Sequence, residues 1–600
     1  MFSIVILTAL AAPTRAEVRG TWLTTTGPDS IASGANTQAT FTNLRNIGLN
    51  TAYVEAWKNG YSQFPSPTMQ QLIGIDRAPS LGGRNLLEET TIHAHRNQMA
   101  HIAWLEFGFS SQFVGSGGTP SNPLSQWALA NGYLLQDRNG NYANNSNGFA
   151  WMNPAIPEVR QLLIDVTLDA INANDLDGVQ LDDRLAWPRE FGWDPTTAAL
   201  YLAETGRNLP TGLNDSNFRN WRAQKTFEFA TEWYTAVKTA RPDLIVSVSP
   251  SIMTFSFTQY NADWEDWADA GLFDEIVPQV YRNTLSAYRS TLPTQVNIMA
   301  GADATPNGRL EDLVVGISRD SSSTPTSPAD LLQMIQDARN AGTAGHVLWY
   351  SRGVLEVASE LTAFYDQNPE LDNSPKIDPN RRPAPIVATE NTVLPALWQF
   401  TITTPGQYRF VTRVNSTWSE DSSAYLLPGD YQFQLSFDID QVELLADRRP
   451  IPADFNSDWL VNQLDINALT ANFGTNNPTF DLNEDGSVNP DDLLHLVQEV
   501  WNTRQGDANL DGSIDLVDLS ILAANFNQPI PTAGGWTNAD FNASGTIDLI
   551  DLSLLAANFG FQRPLAPTTF PTPALPEPAA ATLMLLTAAL GSRPLSRYPA

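Results

Sequence analysis

The sequence predicts an eight-fold β/α barrel, then a small β-domain, then short helices carried on acidic loops. Three observations carry this. Short apolar runs alternate eight times with longer helical patterns between residues 17 and 364. Strand-like alternation takes over in 389–450. A twelve-residue acidic pattern recurs four times between 454 and 551. Six hundred residues also exceed what one core organises, so several domains are expected.

The eight strand-like runs are GTWLTT (20–25), TAYVEAW (51–57), HIAWLEFGF (101–109), DGVQLDD (177–183), LIVSVSP (244–250), EIVPQVY (275–281), VNIMAGA (296–302) and HVLWYS (346–351). Between them lie helical stretches such as 157–174 and 328–342; the latter has Asp330 near its start and Gly342 at its end. Eight alternations imply parallel pairing, and eight strands close a TIM barrel. A doubly wound open sheet is the alternative. Residues 365–388 are rich in Pro, Asn and Asp and read as a linker. The β-domain of 389–450 shows period-two runs such as QYRFVTRV. It reads as a glycan-binding module or a spacer packed on the barrel.

The net charge of −31 argues against nucleic acid and anionic lipid as partners. The absence of cysteine excludes disulfides, thiolate catalysis and cysteine-ligated zinc. Residues 1–16 carry an apolar run, Phe2 to Ala12, and small residues before Ala16, as a signal peptide would; a buried first strand is the alternative. After a second linker, 563–575, residues 576–598 hold Pro576-Glu577-Pro578, an apolar run too short for a comfortable membrane span, then Arg593 and Arg597. That order resembles the PEP-CTERM sorting signal, which implies processing by an exosortase and export to the envelope, surface or medium of a Gram-negative bacterium.

The acidic repeats are 454–465, 481–492, 507–518 and 540–551. Oxygen-bearing side chains fall at loop positions 1, 3, 5, 9 and 12, a spacing that wraps ligands around a hard cation. The expected ligands are Asp454, Asn456, Asp458, Asn462 and Asp465, then Asp481, Asn483, Asp485, Asn489 and Asp492. Asp507, Asn509, Asp511, Asp515 and Asp518 form the third set, and Asp540, Asn542, Ser544, Asp548 and Asp551 the fourth. The cation is Ca2+, in a structural role; the alternative is acidic turns without metal. Trp459 stands where glycine is expected, and Ser544 where an acid is, so loops one and four bind more weakly. Aspartate at position 12 resembles the dockerin type I repeat. Two dockerin-like pairs follow, 451–502 and 503–562. The resemblance implies a cohesin-like partner, unless the modules are metal-stabilised spacers.

Barrel active sites lie at the C-terminal strand ends. The polar and aromatic residues there are carboxylates with flat rings, as a sugar site needs. The candidate catalytic residues are Asp182, Asp183, Glu106, Glu55 and Asp303, and the candidate substrate contacts are Trp57, Gln180, Arg184, Trp187, Gln279, Tyr281, Trp349, Tyr350 and Arg352. One of Asp182 and Asp183 is nucleophile or base; the proton donor comes from another strand, Glu106 or Glu55 first, then Asp303. Against this stand plainer roles: a salt bridge from the two aspartates to Arg184 or Arg352, and barrel-top core for Trp349 and Tyr350. His93, His95 and His101 precede or begin strand 3 and read as structural. No metal is expected for catalysis.

The segments EVRGTWLTT, YVEAWKNGYSQFPS, HAHRNQMAHIAWLEF, MNPAIPEVRQLLIDV, DGVQLDDRLAWP, VSPS and IVPQVY occur in order over roughly residues 17–350. Together they resemble glycosyl hydrolase-like family 10. The resemblance implies a TIM barrel and glycoside hydrolysis of a polysaccharide or peptidoglycan-type glycan. Asp182 and Asp183 match the family's paired acids, while Arg184 and Leu185 replace its aromatics. DGVQLDDR also resembles the strand-4 motif of family 18 chitinases, but Arg184 stands at their catalytic glutamate. The rival function is a non-catalytic carbohydrate-binding or scaffold protein displayed at the cell surface.

Overall fold

The computed structural model describes residues 16–563, apart from 26–29, 303–307, 321–323, 373–384, 388–396, 415–416, 435–438, 457, 459, 529 and 531–534. The expected signal peptide of 1–16, all but its last residue, the expected sorting segment of 576–598, Trp459 and Asp303 lie outside the described residues. Eight parallel strands form one sheet: β1 (Val18–Leu23), β2 (Thr51–Glu55), β3 (Ala100–Leu105), β4 (Gly178–Asp182), β5 (Ile245–Ser249), β6 (Glu275–Ile276), β7 (Val314–Ser318) and β8 (Gly345–Trp349). β1 pairs in parallel with both β2 and β8. The last seam, between β6 and β7, closes through the bridges Ile276↔Leu313 and Gln279↔Gly316. The sheet is a barrel, not an open one.

Parallel strands covered on both faces read as continuous apolar runs, and β1, β2, β3, β4 and β5 are buried along their whole length. Trp22, Tyr53 and Trp104 fill the barrel with Val18, Ile102, Val277 and Val314. Gly20 makes room for them: a Cβ there would lie 2.8 Å from Tyr53 Cε2.

The seventh strand is not where sequence patterning places it. Residues 296–302 belong to a helix, Leu285–Gly301, apart from Ala302, which caps it. Thr284 caps its start by accepting from Ala287 N. Its buried residues Tyr288, Leu292, Gln295 and Met299 recur at helical spacing, and that longer period overrides the short run VNIMA. The true β7 is VVGIS, whose central Gly316 interrupts the apolar signal. β6 is shorter than the 275–281 run because Pro278 has no N–H for the ladder; its carbonyl instead accepts from Gly316 N at 3.0 Å.

The β-domain sheet orders strands 386–387, 441–446, 406–414 and 417–426, with a separate pair, 397–402 and 429–434. It packs on the N-terminal end of the barrel. Arg409 Nη2 meets His95 Nδ1 at 2.6 Å, Asp175 Oδ1 accepts from Arg448 N at 2.9 Å, and Arg96 pairs with Glu443 at 2.6 Å. His95 Nε2 is 2.9 Å from Asp177, and His101 Nε2 is 2.9 Å from Thr90 Oγ1, so both are structural. His93 is buried beside them, and that burial lowers its pKa to about 3.

The four acidic loops each lead into a short helix: Gln463–Ala471, Pro490–His495, Leu516–Asn525 and Leu549–Asn558. Loop positions 9 and 12 form a capping box at each, Asn462/Asp465, Asn489/Asp492, Asp515/Asp518 and Asp548/Asp551. Gly486, Gly512 and Gly545, at position 6, take the left-handed conformation that the turn demands. Trp501 and Trp536 meet edge to face at 5.4 Å in a core that joins all four helices.

Candidate active site

Side chains alternate along β4, which sends Gln180 and Asp182 into the barrel. Gln180 forms the floor. It is fully buried, accepts from Trp22 Nε1 at 2.8 Å and donates to Ser247 Oγ at 2.9 Å. Above it, Asp182 Oδ1 accepts from Ser249 Oγ at 3.1 Å and Gln279 Nε2 at 2.8 Å. Its Oδ2 accepts from Arg184 Nη1 at 3.1 Å. Asp183 starts the following loop, accepts from Ser251 Oγ at 3.3 Å and lies 3.7 Å from Arg184.

β2 and β3 supply the facing wall. Glu55 is buried at the end of β2 and accepts from Lys58 Nζ at 2.6 Å, from Thr25 N at 2.5 Å and from the Thr25 hydroxyl. A tight hairpin presents Lys58. Its turn, Asn59-Gly60, has φ of 52° and 80°, as a two-residue type I′ turn requires. Glu106 follows β3, with Lys58 at 3.7 Å and Arg184 Nη1 at 3.9 Å. One Arg184 nitrogen thus lies 3.1 Å from Asp182 and 3.9 Å from Glu106. These carboxyls are therefore no more than about 7 Å apart, below the upper limit for paired glycosidase acids of about 9.5 Å.

The carboxyls are electrostatically unequal. Burial, then contact with the carboxylate of Glu55, push Glu106 well above its ordinary value; Arg184 and Lys58 offset this only in part. Burial would raise Glu55 too, but Glu106, Lys58 and Thr25 outweigh it and hold Glu55 low. Burial and the charge of Asp183 push Asp182 up to about 8, against Arg184 and Ser249. Asp183 is also raised by burial, opposed by Arg184 and Ser251. The site thus favours the ionised form of Glu55 and the protonated form of Glu106, facing an aspartate pair that is also pushed towards its protonated form.

Several predicted residues lie elsewhere. Trp57 is fully buried in the barrel-helix core and donates to Gly108 O at 3.2 Å, so no sugar reaches it. Trp187 is fully buried against Trp221 and donates to Phe191 O. Gln180 lies beneath the site rather than in it. Strand 7 is Val314–Ser318 rather than 296–302, and the predicted Asp303 lies outside the described residues. Arg352 pairs with Asp320, not with Asp182 or Asp183, and borders an open groove of about 460 Å³ with Ser30, Asn36 and Glu356. Tyr281 and Trp349 line the barrel mouth 5.9 Å apart, and Tyr350 continues the row 5.2 Å further on. Sequence reasoning missed Lys58, Ser249, Ser251 and Tyr260. The Asn-Gly turn after β2 was the one available signal for Lys58.

In the third acidic loop, Asp507 Oδ1 is buried without a hydrogen-bond partner. Burial raises this carboxyl to about 6, and Asp518 and Asp511 add to the effect. An unpartnered acid crowded by other acids is a donor set suited to a hard cation. Among the described residues, no three His, Asp or Glu side chains converge on one metal position. The loop ligands also include asparagine, and several of the acids accept backbone N–H groups instead.

Residues 17–327 match the model of the glycosyl hydrolase-like 10 family. The chain belongs to this family. Residues 505–559 match the dockerin type I domain, which covers the second loop pair. A glycosyl hydrolase, DigH, of Escherichia coli strain K12 is 24% identical over 263 residues, 40% of this chain and 56% of that protein. The same protein of Shigella flexneri matches equally. The chain thus spans about half the length of the curated relatives it matches. Among solved structures, the PgaB glycoside hydrolase domain of Bordetella bronchiseptica aligns at 14% identity with a TM-score of 0.43, over 58% of this chain and 98% of that one. The β-amylase catalytic domain of Paenibacillus polymyxa aligns at 10% identity and 0.42, over 59% and 98%.

Proposed function

We propose that the barrel is a glycoside hydrolase acting on a polysaccharide or peptidoglycan-type glycan. The observation that carries this is the opposition of a high-pKa Glu106 to the Asp182/Asp183 pair across Arg184. Glu106 protonates the leaving glycosidic oxygen. The aspartate pair supplies the carboxylate that either attacks the anomeric carbon or takes a proton from the attacking water. Arg184 holds the acids in place and stabilises the charge left on Glu106 when its proton departs. Glu55 and Lys58 position Glu106 and set its pKa. Gln279 orients Asp182, and Tyr281, Trp349 and Tyr350 offer faces to the sugar.

The acidic loops hold structural Ca2+ through the position 1, 3, 5, 9 and 12 side chains, and Asp507 is the best supported ligand. Calcium supplies positive charge that offsets carboxylate repulsion in the folded loops. A cohesin-like partner for the dockerin-like repeats, export through the leader, and exosortase processing at 576–598 complete the proposal.

A panel of polysaccharides and peptidoglycan tests it with wild type, Asp182→Asn, Asp183→Asn and Glu106→Gln. Hydrolysis that disappears with Glu106→Gln and with at least one aspartate change supports it. Activity surviving both aspartate changes refutes the assignment. The anomer first released separates the retaining from the inverting course.

A further inference from the structure

Only three large hydrophobic side chains of the described barrel residues are exposed, Phe113, Leu202 and Phe255, and the two aromatic ones lie on the same rim. Phe113 is 57% exposed at the end of a hairpin, Ser110–Phe113 with Phe149–Trp151, that stands on the C-terminal face after β3. Phe255 is 46% exposed on the short helix after β5, Met253–Tyr260. A continuous chain of rings joins them. Phe113 meets Phe149 at 5.0 Å, Phe149 meets Trp151 at 6.3 Å, Trp151 meets Tyr260 at 6.3 Å and Tyr260 meets Phe255 at 5.4 Å. Trp151 is buried and backs the row; the other four are at least partly open.

This row is continuous with the carboxylates. The Arg184 guanidinium that bridges Glu106, Asp182 and Asp183 also sits 4.6 Å over the Phe149 ring. Tyr260 is close enough to Asp183 that its phenol is raised by burial and by that charge. Exposed rings cost solvation unless something covers them, and flat rings beside sugar-cleaving acids suit the apolar faces of pyranoses. The opposite rim carries Tyr281, Trp349 and Tyr350, so rings flank the acids on both sides.

We infer that Phe113, Phe149, Tyr260 and Phe255 form an arc of stacking platforms for the outlying units of a linear glycan, so that the enzyme cleaves within chains. The inference rests on the proposed hydrolase site and adds where the outlying sugar units bind and that cleavage falls within the chain.

The test uses the full chain carrying Glu106→Gln, so that glycans bind without being cut. The probes are xylan, β-glucan, chitosan and peptide-free peptidoglycan strands, each with its short oligomers, followed by affinity electrophoresis. The arc predicts that at least one polymer is bound more tightly than its disaccharide. Phe113→Ala with Phe255→Ala then weakens polymer binding about tenfold and flattens the dependence on chain length. Leu202→Ala, on the helix Pro195–Thr205 and outside the row of rings, serves as the control and leaves binding unchanged. An unchanged melting temperature confirms that the exposed rings are not structural. Binding that is lost in the double variant, on a glycan that wild type does not hydrolyse, keeps the arc and refutes the hydrolase. Binding of no probe, or polymer binding that the double variant leaves intact, overturns the arc.

Discussion

Replacing Glu55 with glutamine should move the alkaline limb of the pH–rate profile to lower pH. Lys58 Nζ lies 2.6 Å from Glu55 and 3.7 Å from Glu106, so the two carboxyls are at most about 6 Å apart. At that separation and an effective dielectric of about 20, two unit charges interact by about 3 kcal/mol. The negative charge of Glu55 therefore raises Glu106, adding to the upward push of burial. Glu55→Gln removes that charge, and it removes the carboxylate that accepts from protonated Glu106. It also frees Lys58 to act on Glu106 alone. All three effects lower the Glu106 pKa, so Glu106 gives up its proton earlier as pH rises. The assay is kcat/KM against pH on whichever glycan the panel identifies. The variant keeps measurable activity but loses it at lower pH than wild type. In parallel, Glu106→Gln loses on the order of 100- to 10,000-fold and has no alkaline limb. A limb that stays in place, or moves upward, in Glu55→Gln refutes Glu106 as the donor.

Other perturbations follow from the same geometry. Asp182 is raised from 3.8 to about 8 by burial and by Asp183. The folded state therefore binds more protons than the unfolded one between those values, and stability falls as pH rises through that window, by at most about 1.4 kcal/mol per pH unit. Asp182→Asn should flatten this dependence in melts across the window while abolishing hydrolysis; an equally steep variant contradicts the burial assignment. Arg409 is 1% exposed at the seam between β-domain and barrel, against His95 and Asp175. Arg409→Ala leaves Asp175 buried with weaker compensation and should cost about 3 kcal/mol in urea unfolding. A chelator should lower the melting temperature of the C-terminal repeats, and Asp507→Ala should remove most of that response. No change with chelator contradicts calcium binding.

Much of this was legible in the sequence because parallel barrel strands are continuous apolar runs. VQLD, VSVS and HVLW carry that signal, and the acids of β4 follow directly from it. β7 was hidden because Gly316 halves its apolar run, while Val296 and Ile298 imitate a strand inside a helix. That helix is visible only over the longer spacing of Tyr288, Leu292, Gln295 and Met299. Asp182, Asp183, Glu106 and Glu55 do converge, as their strand positions suggested. Which aromatics face the site was not readable. Trp57 and Trp187 follow their strands just as Tyr281 and Trp349 do, yet helices cover the first two and not the second pair. Phe149 and Tyr260 reach the site through insertions whose packing no local pattern records. The acidic repeats were clearest of all, since their spacing fixes turn and helix cap at once.

The arrangement of the domains bears on how the site would be presented. Asp175 and Asp177 precede β4, and His101 lies at the start of β3, so the β-domain that contacts this region closes the N-terminal end of the barrel. The same β-domain is joined to the acidic repeats. Tyr425 OH accepts from Val461 N at 3.0 Å, and Arg563 donates to Tyr431 OH at 2.8 Å while also lying against Gly512 of the third loop. Tyr425 and Leu427 belong to the same apolar core as the four loop helices. A tether acting on the repeats therefore acts through the closed end of the barrel. The carboxylates and the aromatic rim lie at the opposite end. Loosening the seam, as Arg409→Ala should, would then disturb how the barrel is held before it disturbs Glu106 or Asp182. Hydrolysis of a soluble glycan should survive in that variant at temperatures below its lowered melting point, while its binding to any partner of the repeats stays intact.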